Sequence, residues 1–94
     1  MILSYDALIL TESAYRHGFD EDDVVEVVER PCLVIVNRRG RSYGYEILGQ
    51  NAGGAYLLLA AKLVEYHDRT VLRVYHVNRM KDSDRRRYLR HVRR

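Results

Sequence analysis

Residues 70–94 read TVLRVYHVN and then RMKDSDRRRYLRHVRR, and the change of period between the two parts decides the fold. In the first part Val71, Arg73, Tyr75 and Val77 alternate with Leu72, Val74, His76 and Asn78, the period of a strand with two unlike faces. The second part predicts a short helix. Asp82 is the expected N-cap and Asp84 falls in the first turn, while Arg90, Arg93 and Arg94 crowd the other end, as the helix dipole favours. Its apolar seam is narrow, Leu89 and Val92 with Tyr88 beside them, which leaves Arg86, Arg90 and Arg93 in water. Both elements therefore carry cations beside an apolar stripe, a pattern that suits a phosphate-bearing partner or simply solvates the surface.

Upstream, AYLLLAAKLVEY (residues 55–66) reads as a long strand broken off at His67-Asp68-Arg69. Before it the turn QNAGG follows YGYEILG (residues 43–49), in which Tyr43, Tyr45 and Ile47 oppose Glu46 and Leu48. CLVIV (residues 32–36) is a fourth apolar run, with NRRGR as the turn after it. FDEDDVVEVVERP (residues 19–31) predicts a helix. Asp20 caps it, Asp23 stands at the third position, Phe19 staples onto Val24, the buried stripe is Val24, Val27 and Val28, and Pro31 stops it. The opening stretch admits two readings. Ala7 to Leu10 fits a strand, and Asp6 as N-cap with Leu10, Ala14 and His17 on one face fits a helix ending at Gly18. Four strands joined by short turns make an antiparallel meander with helices over one face, so the expected class is α+β in a single domain over residues 1–94.

A chain with 47% hydrophobic and 31% charged residues is globular, and no apolar run approaches the roughly 20 residues of a membrane span. The N-terminal MILSYDALIL lacks the basic start of a secretory signal, so a cytoplasmic location is expected. Charge is unevenly spread. Residues 1–30 hold eight acids against Arg16 and Arg30, and the remainder holds fourteen cations against five acids. Such asymmetry points to a polyanionic partner for the basic part. Among the acids, Asp20 to Asp23 are accounted for by helix capping rather than by a metal. No HxH, HExxH or CxxC occurs, no phosphate-binding glycine motif is present, and the serines lack a nucleophile-elbow context, so neither metal nor cofactor is expected. Cys32, in an apolar run, reads as a small buried hydrophobe.

The uncovered sheet face is the candidate site. It presents either Arg73 and Tyr75 or His76 and Asn78, beside Lys62, Tyr45 or Glu46 of neighbouring strands. Tyrosines interleaved with Arg and Lys suit RNA, since bases stack on rings and cations meet phosphates. RNA cleavage without a metal needs a base for the 2′-hydroxyl, an acid for the leaving oxygen and cations for the phosphorus centre. His17, His76, Glu46 and Asp84 are candidates for proton transfer; Arg16, Arg73 and Arg79 for holding phosphate.

Several motifs, in order, resemble the BrnT-type toxins of type II toxin–antitoxin systems, ribonucleases with a RelE-like fold. They are Tyr5-Asp6, Arg16-His17-Gly18, Glu29-Arg30-Pro31, Ile47-Leu48-Gly49, Arg73, and Asp84-Arg85-Arg86-Arg87-Tyr88. The resemblance spans nearly the whole chain. It departs at Ile9, where the family has a Lys, and at Asn78, where the family's post-strand Arg aligns, leaving Arg79 one place on. It favours a helix for the opening stretch, giving the order ααββββα with a four-stranded meander. It implies roles in RNA cleavage for Arg16 or His17, for Arg73 and for an Arg just after the last strand, here Arg79, and a cognate antitoxin, a small ribbon-helix-helix DNA-binding repressor. Together with the reading of the residues themselves, the expected catalytic set is His17, Arg73, His76 and Arg79, the expected RNA contacts are Arg16, Tyr45, Lys62 and Arg86, and oligomers are expected through the antitoxin.

Overall fold

The computed structural model describes residues 3–39 and 42–93. Its elements are β1 (Ala7–Leu10), a 3₁₀ turn (Glu12–Tyr15), α1 (Glu21–Glu29), β2 (Leu33–Arg39), β3 (Ser42–Gln50), β4 (Tyr56–Tyr66), β5 (Arg69–Arg79) and α2 (Asp82–Val92). The strands form one mixed sheet in the order β1-β5-β4-β3-β2, with β1 parallel to β5 and all other neighbours antiparallel. The α+β class expected from sequence holds. The four-stranded, three-helix order ααββββα does not.

The difference lies first in the opening stretch, which is a strand and a 3₁₀ turn instead of a helix. Asp6 does not cap. Its amide donates to the Thr70 carbonyl and its carboxylate accepts from the Thr70 amide, both at 2.7 Å, and so it starts the parallel ladder that pairs Ala7 with Val71 through Leu10 with Val74. A parallel neighbour more than sixty residues away leaves no local trace, and the continuous apolar run Ala7 to Leu10 is its only signature. Asn37, Arg38 and Arg39, expected in a turn, instead continue β2 opposite Gly44, Tyr43 and Ser42, and the turn residues 40–41 lie outside the described residues.

α1 forms as its sequence dictates. The Asp23 amide donates to Asp20 at 3.0 Å and the Asp20 amide donates to Asp23 at 2.9 Å, a reciprocal cap that satisfies two otherwise unpaired N–H groups. Val24 and Val27 are fully buried against the sheet together with Ile47, Leu57, Leu59, Ala61, Leu72, Val74 and Val77. Gly49 admits this close packing, because a Cβ there would stand 2.9 Å from Val27 Cγ1 and 3.3 Å from Cys32 Cβ.

α2 does not join α1. It packs on β2 and β3 from the opposite face, over Leu48, which is 1% exposed although its neighbour Gly49 faces α1. The helix begins at Asp82 with Lys81, not Asp82, at the N-cap and no side-chain cap. Its anchor is Tyr88, 5% exposed, whose ring meets Tyr56 edge-on at 6.1 Å and whose hydroxyl donates to the Pro31 carbonyl at 3.4 Å. Val92, expected in the seam, is 37% exposed. The helices thus divide between the two faces, and α2 covers only one end of its own.

Candidate nucleic-acid interface

What α2 leaves uncovered is decided by a bulge in β5. Lys62 pairs with Arg73, Ala61 with Val74, Ala60 with His76 and Leu59 with Val77, so Tyr75 is an extra residue with no partner of its own. An inserted residue of this kind sends two successive side chains to one face. Leu72, Val74 and Val77 all enter the core, while Arg73, Tyr75, His76 and Asn78 share the opposite side. Alternation alone offered these as two rival pairs. The structure makes them one set.

Rows across this face follow from the register. Arg73 lies between Ile9 of β1, 48% exposed, and Lys62 of β4. The Tyr75 ring holds both cations, with the Lys62 ammonium 5.8 Å and the Arg73 guanidinium 5.5 Å from its centroid. Among the described residues no carboxylate pairs with either cation. One row further, Glu46 of β3 and His76 of β5 flank Ala60. Strand spacing sets their Cα atoms about 10 Å apart with only a methyl group between, which leaves a notch for a ligand atom reached from both sides. Glu46 is steadied by Asn37, whose amide donates to it at 3.4 Å. Beyond this row, Glu46, Leu58, Asn78 and Arg79 and the start of α2 at Lys81, Ser83 and Asp84 line a hollow of about 640 Å³. The face therefore runs from a cationic, aromatic end through a carboxylate and an imidazole on either side of Ala60 to a groove under α2.

The other residues singled out from sequence do not join this row. Arg79 borders the hollow under α2 but pairs with Leu57, so its guanidinium turns to the α1 side, 5.3 Å from the centroid of Phe19. Tyr45, opposite Ala61, packs against the core and does not belong to the open face. Arg16 and His17 are exposed and follow the 3₁₀ turn, whose Ala14 is buried in the core and whose Ser13 hydroxyl donates to the Tyr75 carbonyl at 2.8 Å. They lead from that edge of β5 to Phe19 on the core side, and among the described residues no hydrogen bond or ion pair joins His17 to Arg73. Arg86 is exposed on α2, and among the described residues no contact ties it to Arg73 or Lys62. Of the eight residues expected to act, Arg73, His76 and Lys62 come together and the other five do not.

Tyr75, Glu46, Asn78 and Asp84 complete the set, and one signal for it was present in the sequence: apolar residues at 72, 74 and 77 are spaced by two and then by three, the mark of an inserted residue. No match to a family model, a curated protein or a solved structure was found for this chain. Other chemistry has less support. Burial pushes the Cys32 thiol up, which disfavours a thiolate nucleophile, and its surroundings are the apolar hollow of Tyr5, Val28, Val34 and Leu72. Among the described residues no three ligating side chains cluster, and no helix is long and apolar enough to cross a membrane.

Proposed function

We propose that this protein binds single-stranded RNA on the open face of its sheet and cleaves it with its own side chains. The observation that carries the reading is the β5 bulge, which gathers Arg73, Tyr75 and His76 on one uncovered face beside Lys62 and opposite Glu46. Arg73 and Lys62 hold a phosphate and stabilise the charge that builds on its oxygens, while Tyr75 offers a ring to an adjacent base. Glu46 takes the 2′-hydroxyl proton, the 2′-oxygen attacks phosphorus, and the 5′-oxygen leaves with a proton from His76. The products are a 2′,3′-cyclic phosphate and a 5′-hydroxyl. Base and acid on opposite sides of the notch over Ala60 meet the in-line requirement of that displacement. The resemblance to BrnT-type toxins points to RNA cleavage as well, sharing only Arg73 with this residue set, and adds the biological role, growth inhibition by a cytoplasmic toxin held in check by a DNA-binding antitoxin.

Incubating the protein with a labelled RNA in EDTA tests the reading. Cleavage with a cyclic phosphate end is expected, slowed by about a hundredfold or more in His76→Ala and in Glu46→Gln, the usual scale for a lost proton-transfer group. His17→Ala is expected to cut normally, since that side chain lies off the face. RNA that is retained in a salt-sensitive manner but never cut would identify a binding module instead. Absence of both binding and cleavage would remove RNA from consideration.

A further inference from the structure

The geometry points to a guanine-selective subsite in the groove between β5 and the first turn of α2, a specificity that rests on the RNA reading above and refines it. The groove is lined by apolar Leu58 and by two uncharged or acidic hydrogen-bonding side chains from different elements, Asn78 of β5 and Asp84 of α2, with Glu46 and Arg79 also on its wall. Among the described residues neither side chain has a hydrogen-bond partner, so both are free to serve a ligand. Lys81 and Ser83 close the rim.

This set discriminates among the four bases by their Watson–Crick edges. Guanine alone offers two adjacent donors, N1–H and N2–H, and so presents both to the two oxygens of the Asp84 carboxylate, while its O6 accepts from the Asn78 amide. Adenine and cytosine place a ring nitrogen lone pair beside their single amine, which sets a lone pair against a carboxylate oxygen. Uracil flanks its one N–H with two carbonyl oxygens, and both repel Asp84. A flat base laid on Leu58 loses water on one side, which strengthens each of these preferences.

Position fits the proposed chemistry. Asn78 and Arg73 stand four paired positions apart on β5, about 13 Å at strand rise. His76 falls between them, so a guanosine in the groove puts a neighbouring phosphate over the Glu46–His76 notch and the next nucleotide on Tyr75, Lys62 and Arg73. The specificity determinant and the phosphate clamp are then different residues at opposite ends of one face.

Competition of short oligonucleotides, measured by fluorescence anisotropy, separates this from the reading it rests on. Hexamers of cytidine carrying one central guanosine, adenosine or uridine compete for a labelled RNA on the full chain. The guanosine hexamer is expected to bind about tenfold or more tightly than the others, the discrimination of one bidentate contact to a base. In Asp84→Asn and in Asn78→Ala that advantage should shrink to within about twofold, with the all-cytidine hexamer still bound and, in Asp84→Asn, bound more tightly because a carboxylate is gone from the groove. Circular dichroism of both variants checks that α2 remains folded, and Asn78→Ala tests the groove without touching α2. Equal binding of all hexamers would overturn the guanine subsite and leave RNA binding intact, as would a guanosine preference that survives both substitutions. If no hexamer binds and Arg73→Ala changes nothing, the RNA reading fails and the subsite with it.

Discussion

Tyr75 can be removed from the chain with less harm than a residue two places further on. In the paired register Ala61 faces Val74 and Ala60 faces His76, so deleting Tyr75 yields an unbroken ladder in which Val74 and Val77 still enter the core. The losses are local: two exposed cation–π contacts at about 0.5–1 kcal/mol each and the Ser13 hydrogen bond at about 0.5–1.5 kcal/mol. A cost of roughly 1.5–3.5 kcal/mol follows from those contributions. Deleting Val77 also removes one residue, but then either His76 or Asn78 must take the place opposite Leu59, which is fully buried. Burial worth about 1.5–3 kcal/mol is lost and an unpartnered polar group enters the core at a further cost of about 1–3 kcal/mol. That total approaches the whole stability of a small domain, about 5–15 kcal/mol. Urea unfolding followed by circular dichroism reads the contrast: the Tyr75 deletion should unfold cooperatively with an unchanged slope and a lower midpoint, and the Val77 deletion should show little or no native baseline. Equal damage from the two deletions would mean that Tyr75 is not the inserted residue, and the grouping of Arg73 with His76 would go with it.

Other substitutions test the same structure at separate points. Gly49→Ala places a Cβ 2.9 Å from Val27 and 3.3 Å from Cys32, so α1 must lift slightly and the urea midpoint should fall by an amount equivalent to about 1–3 kcal/mol. Gly18→Ala meets nothing within 4 Å, yet φ there is +85°, so a cost of about 1 kcal/mol should arise from backbone alone and persist whatever small side chain is chosen. The Asp23 carboxylate is held below its ordinary range, first by the Asp20 backbone amide and then by the Asn51 side chain. Its stabilisation is therefore complete above the unfolded value and lost as pH falls through the lower folded one. Thermal melts from pH 6 to pH 2 should decline more steeply in the native protein than in Asp23→Asn, and parallel curves would contradict the assignment.

What could be read from the chain in advance was whatever local chemistry fixes. Asp20 and Asp23 cap each other within one turn, Pro31 follows α1 directly, and the helix boundaries there were legible for that reason. Strands β3 and β4 were legible because alternation and a glycine-rich turn occur together in one stretch. The opening strand was not, since its hydrogen bonds go to residues near Val71 and its apolar residues suit a helix equally well. Nor could alternation place Tyr45 or His76. Tyr45 is fixed to the core by pairing with Ala61, and His76 is fixed to the open face by an insertion one residue before it. A one-residue shift exchanges faces for everything beyond it, so the candidate site could be named residue by residue but not assembled. The placement of α2 escaped sequence for a related reason: Tyr88 fits either face of a sheet, and only the partner ring of Tyr56 and the Pro31 carbonyl decide.

The division of helices between faces also sorts the charge. Acids of α1 are drawn into structure on their own side. Asp20 and Asp23 close the cap, Asp23 accepts from Asn51 at 3.0 Å, and Glu26 accepts from the Ala52 amide at 2.9 Å, which ties the β3–β4 turn to the helix. On the other side Lys62 and Arg73 are paired with no carboxylate among the described residues, and their charged groups sit over the Tyr75 ring. Had α2 lain beside α1, its arginines would have neutralised the acids of α1 across a short gap, and both faces would have been nearly neutral. Placed opposite, it adds Arg85, Arg86 and Arg87 to the side that already carries Arg73 and Lys62. Under the proposed function, an incoming polyanion would meet attraction from one side of the sheet and repulsion from the other, a field that favours the uncovered face. The helix that leaves half of its sheet face bare is thus also the element that gives that bare half its direction.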